Sequence, residues 1–155
     1  MKRTDAERFV KALARRHQGT VVLTGTASLL MLDTSDPLVE DAHTFCGTPE
    51  YLKPDSPLAQ TFESVRTELG LPKPTTLPYR RMPTLKGAEA RRVTVRSGAL
   101  EVQVEDPYTT ALCMLLRNSK ADFTGVVRLC ERGVIDRKRL LSLGAYASKK
   151  LDGAL

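Results

Sequence analysis

Asp41 and His43 stand two residues apart in Glu40-Asp41-Ala42-His43, a spacing that turns both side chains to one face of an extended strand. Glu101, Gln103 and Glu105 alternate in the same way, so one face of a later strand carries two carboxylates. In Val22-Leu23-Thr24-Gly25-Thr26-Ala27 an apolar strand passes into a helix through small residues, and backbone amides at such a junction suit an anion such as a phosphate. Arg80, Arg81, Lys86, Arg91, Arg92 and Arg96 form the densest basic run, with Glu89 among them and Tyr79 beside it, and fit the phosphates of a nucleotide or of a nucleic acid backbone. Each group also has a plain structural reading: a strand-to-helix turn, a solvated strand face over inward Val102 and Val104, and a solvated basic surface.

The elements that must position these residues follow from periodicity and from end signals. Thr4 and Glu7 have capping-box spacing, and Ala6, Phe9, Val10, Leu13 and Ala14 share one helical face, which predicts a helix over 4–17 that Gly19 ends. His17 is expected at the exposed end of that helix, near its negative dipole end. Thr20 to Leu23 is a short β-branched run and reads as a buried strand, with a short helix over 27–32 behind it. After a turn at 33–37, Leu38 to Phe45 is expected to be the strand that carries Asp41 and His43. Ser56 as cap, Pro57 as first helical residue, the stripe Leu58, Phe62, Val65 and Leu69, and Gly70 beyond it specify a helix over 57–69.

Residues 71–90 hold Pro72, Pro74, Pro78 and Pro83 without periodicity and read as a surface loop. Arg92–Arg96 and Leu100–Glu105 flank Ser97-Gly98-Ala99 and are expected to form a β-hairpin. Asp106-Pro107 then starts a helix through Arg117, Asp122 starts another that ends at Gly133, and Asp136 starts a last one with Leu140, Leu141 and Leu143. Asp122 and Asp136 are accounted for as helix caps. Cys113 and Cys130 fall on apolar helix faces as core thiols.

The strand–turn–helix around Thr24-Gly25-Thr26, the Glu40-Asp41-Ala42-His43 segment and the C-terminal run from Val104 to Asp136 together resemble the nucleotidyltransferase fold, of the bacterial minimal, toxin-antitoxin-associated type. The resemblance covers most of the chain at a degenerate level. It implies an α/β (α+β) architecture with a mixed β-sheet, flanking helices and a C-terminal helical bundle. It also implies a nucleotide-binding turn at Thr24, Gly25 and Thr26, Asp41 as a Mg²⁺ ligand, and Glu101 or Glu105 as a further catalytic carboxylate.

The chain departs from that pattern at several positions. Thr24 replaces one glycine of the turn, and Gly125 stands where a second aspartate would follow Asp122. Cys113 or Met114 stands where a lysine is often found. His43 replaces the second strand aspartate, and an imidazole supplies Mg²⁺ with neither an oxygen ligand nor a negative charge. The expected result is a domain with weakened or lost transferase activity that binds nucleic acid or a partner protein. The alternative is an active Mg²⁺-dependent enzyme that transfers a nucleoside monophosphate to an RNA, protein or small-molecule acceptor.

Bulk properties set the frame. The 155 residues are expected to form one domain with one core, comprising a sheet-containing part over 1–105 and helices over 106–155. Cys46, Cys113 and Cys130 are odd in number and lack a C-x-x-C pair, so neither a disulfide framework nor zinc is expected, and His43 with Cys46 makes only half a metal site. No apolar stretch reaches membrane-spanning length and no signal-peptide core follows Met1, which predicts a cytoplasmic protein without a membrane partner. A net charge of +6 favours phosphate-bearing partners and also lies within the ordinary range for solubility.

Overall fold

The computed structural model describes residues 3–32, 45–46, 53, 55–71, 85–117 and 120–152. The chain forms α1 (Arg3–Ala14), β1 (Gly19–Thr24), α2 (Thr26–Met31), the two-residue β2 (Phe45–Cys46) and α3 (Pro57–Glu68). A 3₁₀ turn at Glu89–Arg91 then leads into β3 (Val93–Ser97), β4 (Leu100–Val104), α4 (Pro107–Arg117), α5 (Lys120–Glu131) and α6 (Arg137–Asp152). The expected mixed α/β architecture with C-terminal helices is therefore present.

The sheet has the order β2-β1-β4-β3. Three strands carry it, because β1 and β4 pair in parallel over five residues and β3 and β4 pair antiparallel over five, while β2 adds two residues at the edge of β1. Along β4 the side chains alternate, with Leu100, Val102 and Val104 buried and Glu101 and Gln103 half-buried on the other face. The buried face packs under α1 and α3. There Phe9, Val10 and Leu13 meet Leu58, Phe62 and Val65, and the Phe9 and Phe62 rings stand 4.5 Å apart edge to face. Arg16 ties the two helices at their ends, reaching both Ser64 and Glu68 of α3.

A second cluster fills the C-terminal helices, where Leu29, Leu85 and Ala88 join Tyr108, Ala111, Met114, Val126, Leu129, Ile135 and Leu140. The single expected core thus resolves into two main clusters bridged by α2. Ala27 belongs to the first and Leu29 to the second, because residues two apart on a helix point about 200° apart. Among the described residues no helix is long and apolar enough to cross a membrane.

Several element boundaries differ from the sequence expectation. The first helix stops at Ala14, and the backbone N–H of both Arg16 and His17 turns back to the Leu13 carbonyl, leaving half-buried His17 outside the helix. Lys120, not Asp122, opens α5, so Asp122 sits within its first turn and is not the cap. Ser56 and Asp136 do act as caps, accepting the N–H of Ala59 and of Arg139 at 3.2 and 2.7 Å. At the end of the proline-rich stretch the expected surface loop is anchored inward, with Leu85 and Ala88 buried in the second cluster and Lys86 and Gly87 exposed between them; residues 72–84 lie outside the described residues.

Candidate functional site

Thr24, Gly25, Thr26, Arg91, Arg92 and Glu105 come together at the end of the sheet where β1 and β4 lead into helices, while Arg96 and Glu101 pair at the other end, beside the hairpin turn. Gly25 joins β1 to α2 at φ 71° and ψ −155°, a conformation open to glycine and strained for any residue with a Cβ. This explains the glycine at 25, while Thr24 is still in the strand and buried. Ser28 secures the turn, since its hydroxyl donates to the Gly25 carbonyl at 2.6 Å and lies 3.1 Å from the Thr110 hydroxyl of α4. Beside it the parallel ladder pairs Leu23 with Val104, and the Glu105 N–H donates to the Leu23 carbonyl at 2.9 Å. Thr24-Gly25-Thr26 and Glu105 are thus brought to one end of the sheet.

Glu105 and Asp106 are both buried, and each carboxylate is held by an arginine. Arg92 donates to Glu105 through Nε and Nη2, both at 3.2 Å. Arg91 donates to Asp106 through Nε at 3.2 Å and Nη2 at 3.4 Å, while its Nη1 reaches the Lys86 carbonyl at 2.9 Å. Asp106 also caps α4, accepting the N–H of Tyr108 at 3.0 Å and the Thr109 hydroxyl at 2.5 Å. Burial makes these contacts obligatory, because a buried charge stripped of its partner costs several kcal/mol.

Hairpin register produces this arrangement. A two-residue turn at Gly98-Ala99 pairs Ser97 with Leu100 and Val93 with Val104. Continuing the ladder one and two steps sets Arg92 opposite Glu105 and Arg91 opposite Asp106. The same register pairs Arg96 with Glu101, whose side chains approach to 3.7 Å. Gln103 links the outer face, accepting from Arg92 and donating to Glu101, each at 3.4 Å.

The expectation of a solvated face at Glu101, Gln103 and Glu105 is therefore corrected. Glu101 and Gln103 are half-buried members of a charged ladder, and Glu105 is buried outright. The basic run is corrected as well, since Arg91 and Arg92 are largely buried, bind carboxylates of their own chain and do not form a solvated surface. Among the described members Lys86 and Arg96 are exposed. Asp41, His43, Arg80 and Arg81 lie outside the described residues. Sequence reasoning missed the pairing of Arg91 and Arg92 with Glu105 and Asp106. Folding the hairpin about Gly98-Ala99 on paper would have found it, because every arginine then meets an acid.

Three further residues singled out in the C-terminal run have packing roles. Met114 is buried, and a Cβ added at Gly125 would stand 2.6 Å from its methyl group, so α4 and α5 meet closely at this glycine. Cys113 is half-buried and its thiol lies 2.8 Å from the Thr109 carbonyl.

For Mg²⁺ the described residues offer a poor fit. Among them no three His, Cys, Asp or Glu side chains converge as a metal-holding group, and both oxygens of Glu105 face Arg92. In comparisons with known proteins the chain matches no family model, no curated protein and no solved structure.

Proposed function

We propose that this chain is a degenerate nucleotidyltransferase-like domain that binds nucleic acid or a partner protein and does not transfer nucleotides. The observation that supports this reading is the bidentate Arg92–Glu105 pair. A carboxylate that serves a metal must present its oxygens to the metal, and those of Glu105 are given to a guanidinium at the end of β4. His43 in place of a carboxylate weakens metal binding further, because Mg²⁺ selects oxygen ligands and two-metal transfer needs them in number.

The test is incubation of the purified protein with each labelled nucleoside triphosphate, Mg²⁺ or Mn²⁺ and a cell extract, with Asp41→Ala in parallel. The expected result is no transferred label from either protein. Label transferred by the wild type and lost in the variant would overturn the reading and make the chain an active nucleotidyltransferase.

A further inference from the structure

Neutralising the hairpin arginines raises the question of where the chain's positive charge acts. From Pro107 to the C-terminus there are nine Lys and Arg against four Asp and Glu, an excess of five within a net charge of +6. The excess is densest at the corner between α5 and α6, where Arg132, Arg137, Lys138 and Arg139 are all exposed. Among the described residues Arg137, Lys138 and Arg139 form no ion pair, in contrast to Arg91, Arg92 and Arg96. Asp136, the nearest acid, is engaged as the cap of α6 through the Arg139 N–H. Glu131 is the other exposed acid of the corner.

The corner is also held in place. The Tyr108 hydroxyl accepts the Asp136 N–H at 2.9 Å, and the Arg139 guanidinium lies 5.1 Å from the Tyr108 ring centroid. Three successive residues on a helix fan through about 200°, so these cations spread around the end of α6 and do not line one face. A fan of cations suits a continuous line of phosphates passing over a corner. An acidic partner protein would be expected to find an apolar centre to bury, and among the described residues Leu141 is the exposed large apolar side chain beside these cations, with Phe123 and Val127 one turn or more back along α5.

We infer that the α5–α6 corner, through Arg137, Lys138 and Arg139, binds the phosphate backbone of a nucleic acid without reading its sequence. This rests on the binding-scaffold reading above and names the partner and the surface. Tyr108, the aromatic residue beneath the corner, is nearly buried, so the contact is electrostatic and not one of base stacking.

The experiment is fluorescence anisotropy of a labelled mixed-sequence RNA, titrated with the full chain over a series of salt concentrations, with a DNA strand of the same sequence and poly-glutamate as second and third probes. Arg137→Gln/Lys138→Gln removes two exposed charges, and Lys11→Gln/Arg15→Gln removes two exposed charges at and just beyond the end of α1 as a control. The expected result is binding of RNA and DNA by the wild type. In the α6 variant affinity should fall about tenfold at low salt, and the slope of log K against log salt should become shallower by about 1.4. The α1 variant should keep the wild-type slope.

Equal losses in both variants would overturn the assignment to this corner. Poly-glutamate bound as tightly as RNA would overturn the choice of nucleic acid in favour of an acidic protein. No binding of either nucleic acid at low salt would overturn the inference while leaving a protein partner open to the scaffold, whereas only nucleotide transfer overturns the scaffold reading itself.

Discussion

Arg92 and Glu105 face each other through two contacts of 3.2 Å at the open end of the β3–β4 hairpin, one ladder step beyond the last pair of strand residues. Glu105 keeps 3% of its side-chain surface exposed and Arg92 15%, so neither charge can turn to water when the other is removed. Arg92→Met is expected to lower unfolding stability by about 3–5 kcal/mol in urea titrations. Arg92→Met/Glu105→Leu should recover most of that loss, because the pair as a whole repays little more than its desolvation. A double variant as unstable as the sum of the two singles would show that the residues act independently.

Asp106 performs two tasks, capping α4 and holding Arg91. Asp106→Asn keeps an oxygen for the Tyr108 N–H but gives up the charge, whereas Asp106→Ala gives up both. Thermal melts should place Ala below Asn by about 1 kcal/mol, the ordinary worth of a helix cap. Equal melting of the two variants would mean that the cap adds nothing beyond the ion pair.

Gly98 turns the hairpin at φ 59°, in the left-handed region. Gly98→Ala should cost about 1–2 kcal/mol through backbone strain alone, since nothing stands within 4 Å of the added Cβ. Hydrogen exchange should show the loss first in β3, whose only described ladder partner is β4.

Gly125→Asp would put a carboxylate where the nucleotidyltransferase pattern has one, and it is expected to destabilise the chain. Its Cβ would meet the Met114 methyl at 2.6 Å, and the charge would enter the α4–α5 contact. A loss of about 2–3 kcal/mol in chemical denaturation is expected, against less than about 1 kcal/mol for Gly125→Ala, where the flexible Met114 end yields and helix propensity improves. A stable Gly125→Asp would mean that the helices can part here.

Much of the fold was legible from short-range signals. Ser56-Pro57 with the stripe Leu58, Phe62 and Val65 marked α3 to within a residue, and Asp106-Pro107 and Asp136 marked the starts of α4 and α6, because caps and 3.6-residue periodicity are properties of a few adjacent side chains. The hairpin was legible for the same reason, its turn being two residues long. The start of α5 was misread because Asp122 has the composition of a cap and yet lies in the first turn, where an acid also favours the helix dipole.

The chain by itself determined which residues alternate, which cap and where the turns fall, and so determined the elements and the sharing of a face by Glu101, Gln103 and Glu105. Only tertiary structure decided what those residues do. Register across Gly98-Ala99 brought Arg91 and Arg92 onto Asp106 and Glu105, and both acids are buried where β4 passes into α4. Two members of a basic run in sequence, Arg91 and Arg92, thereby became internal ion-pair partners, while Arg137, Lys138 and Arg139 stayed exposed at a corner between helices. Charge can be counted along a chain, but whether it faces water or an opposite charge depends on residues brought together by folding.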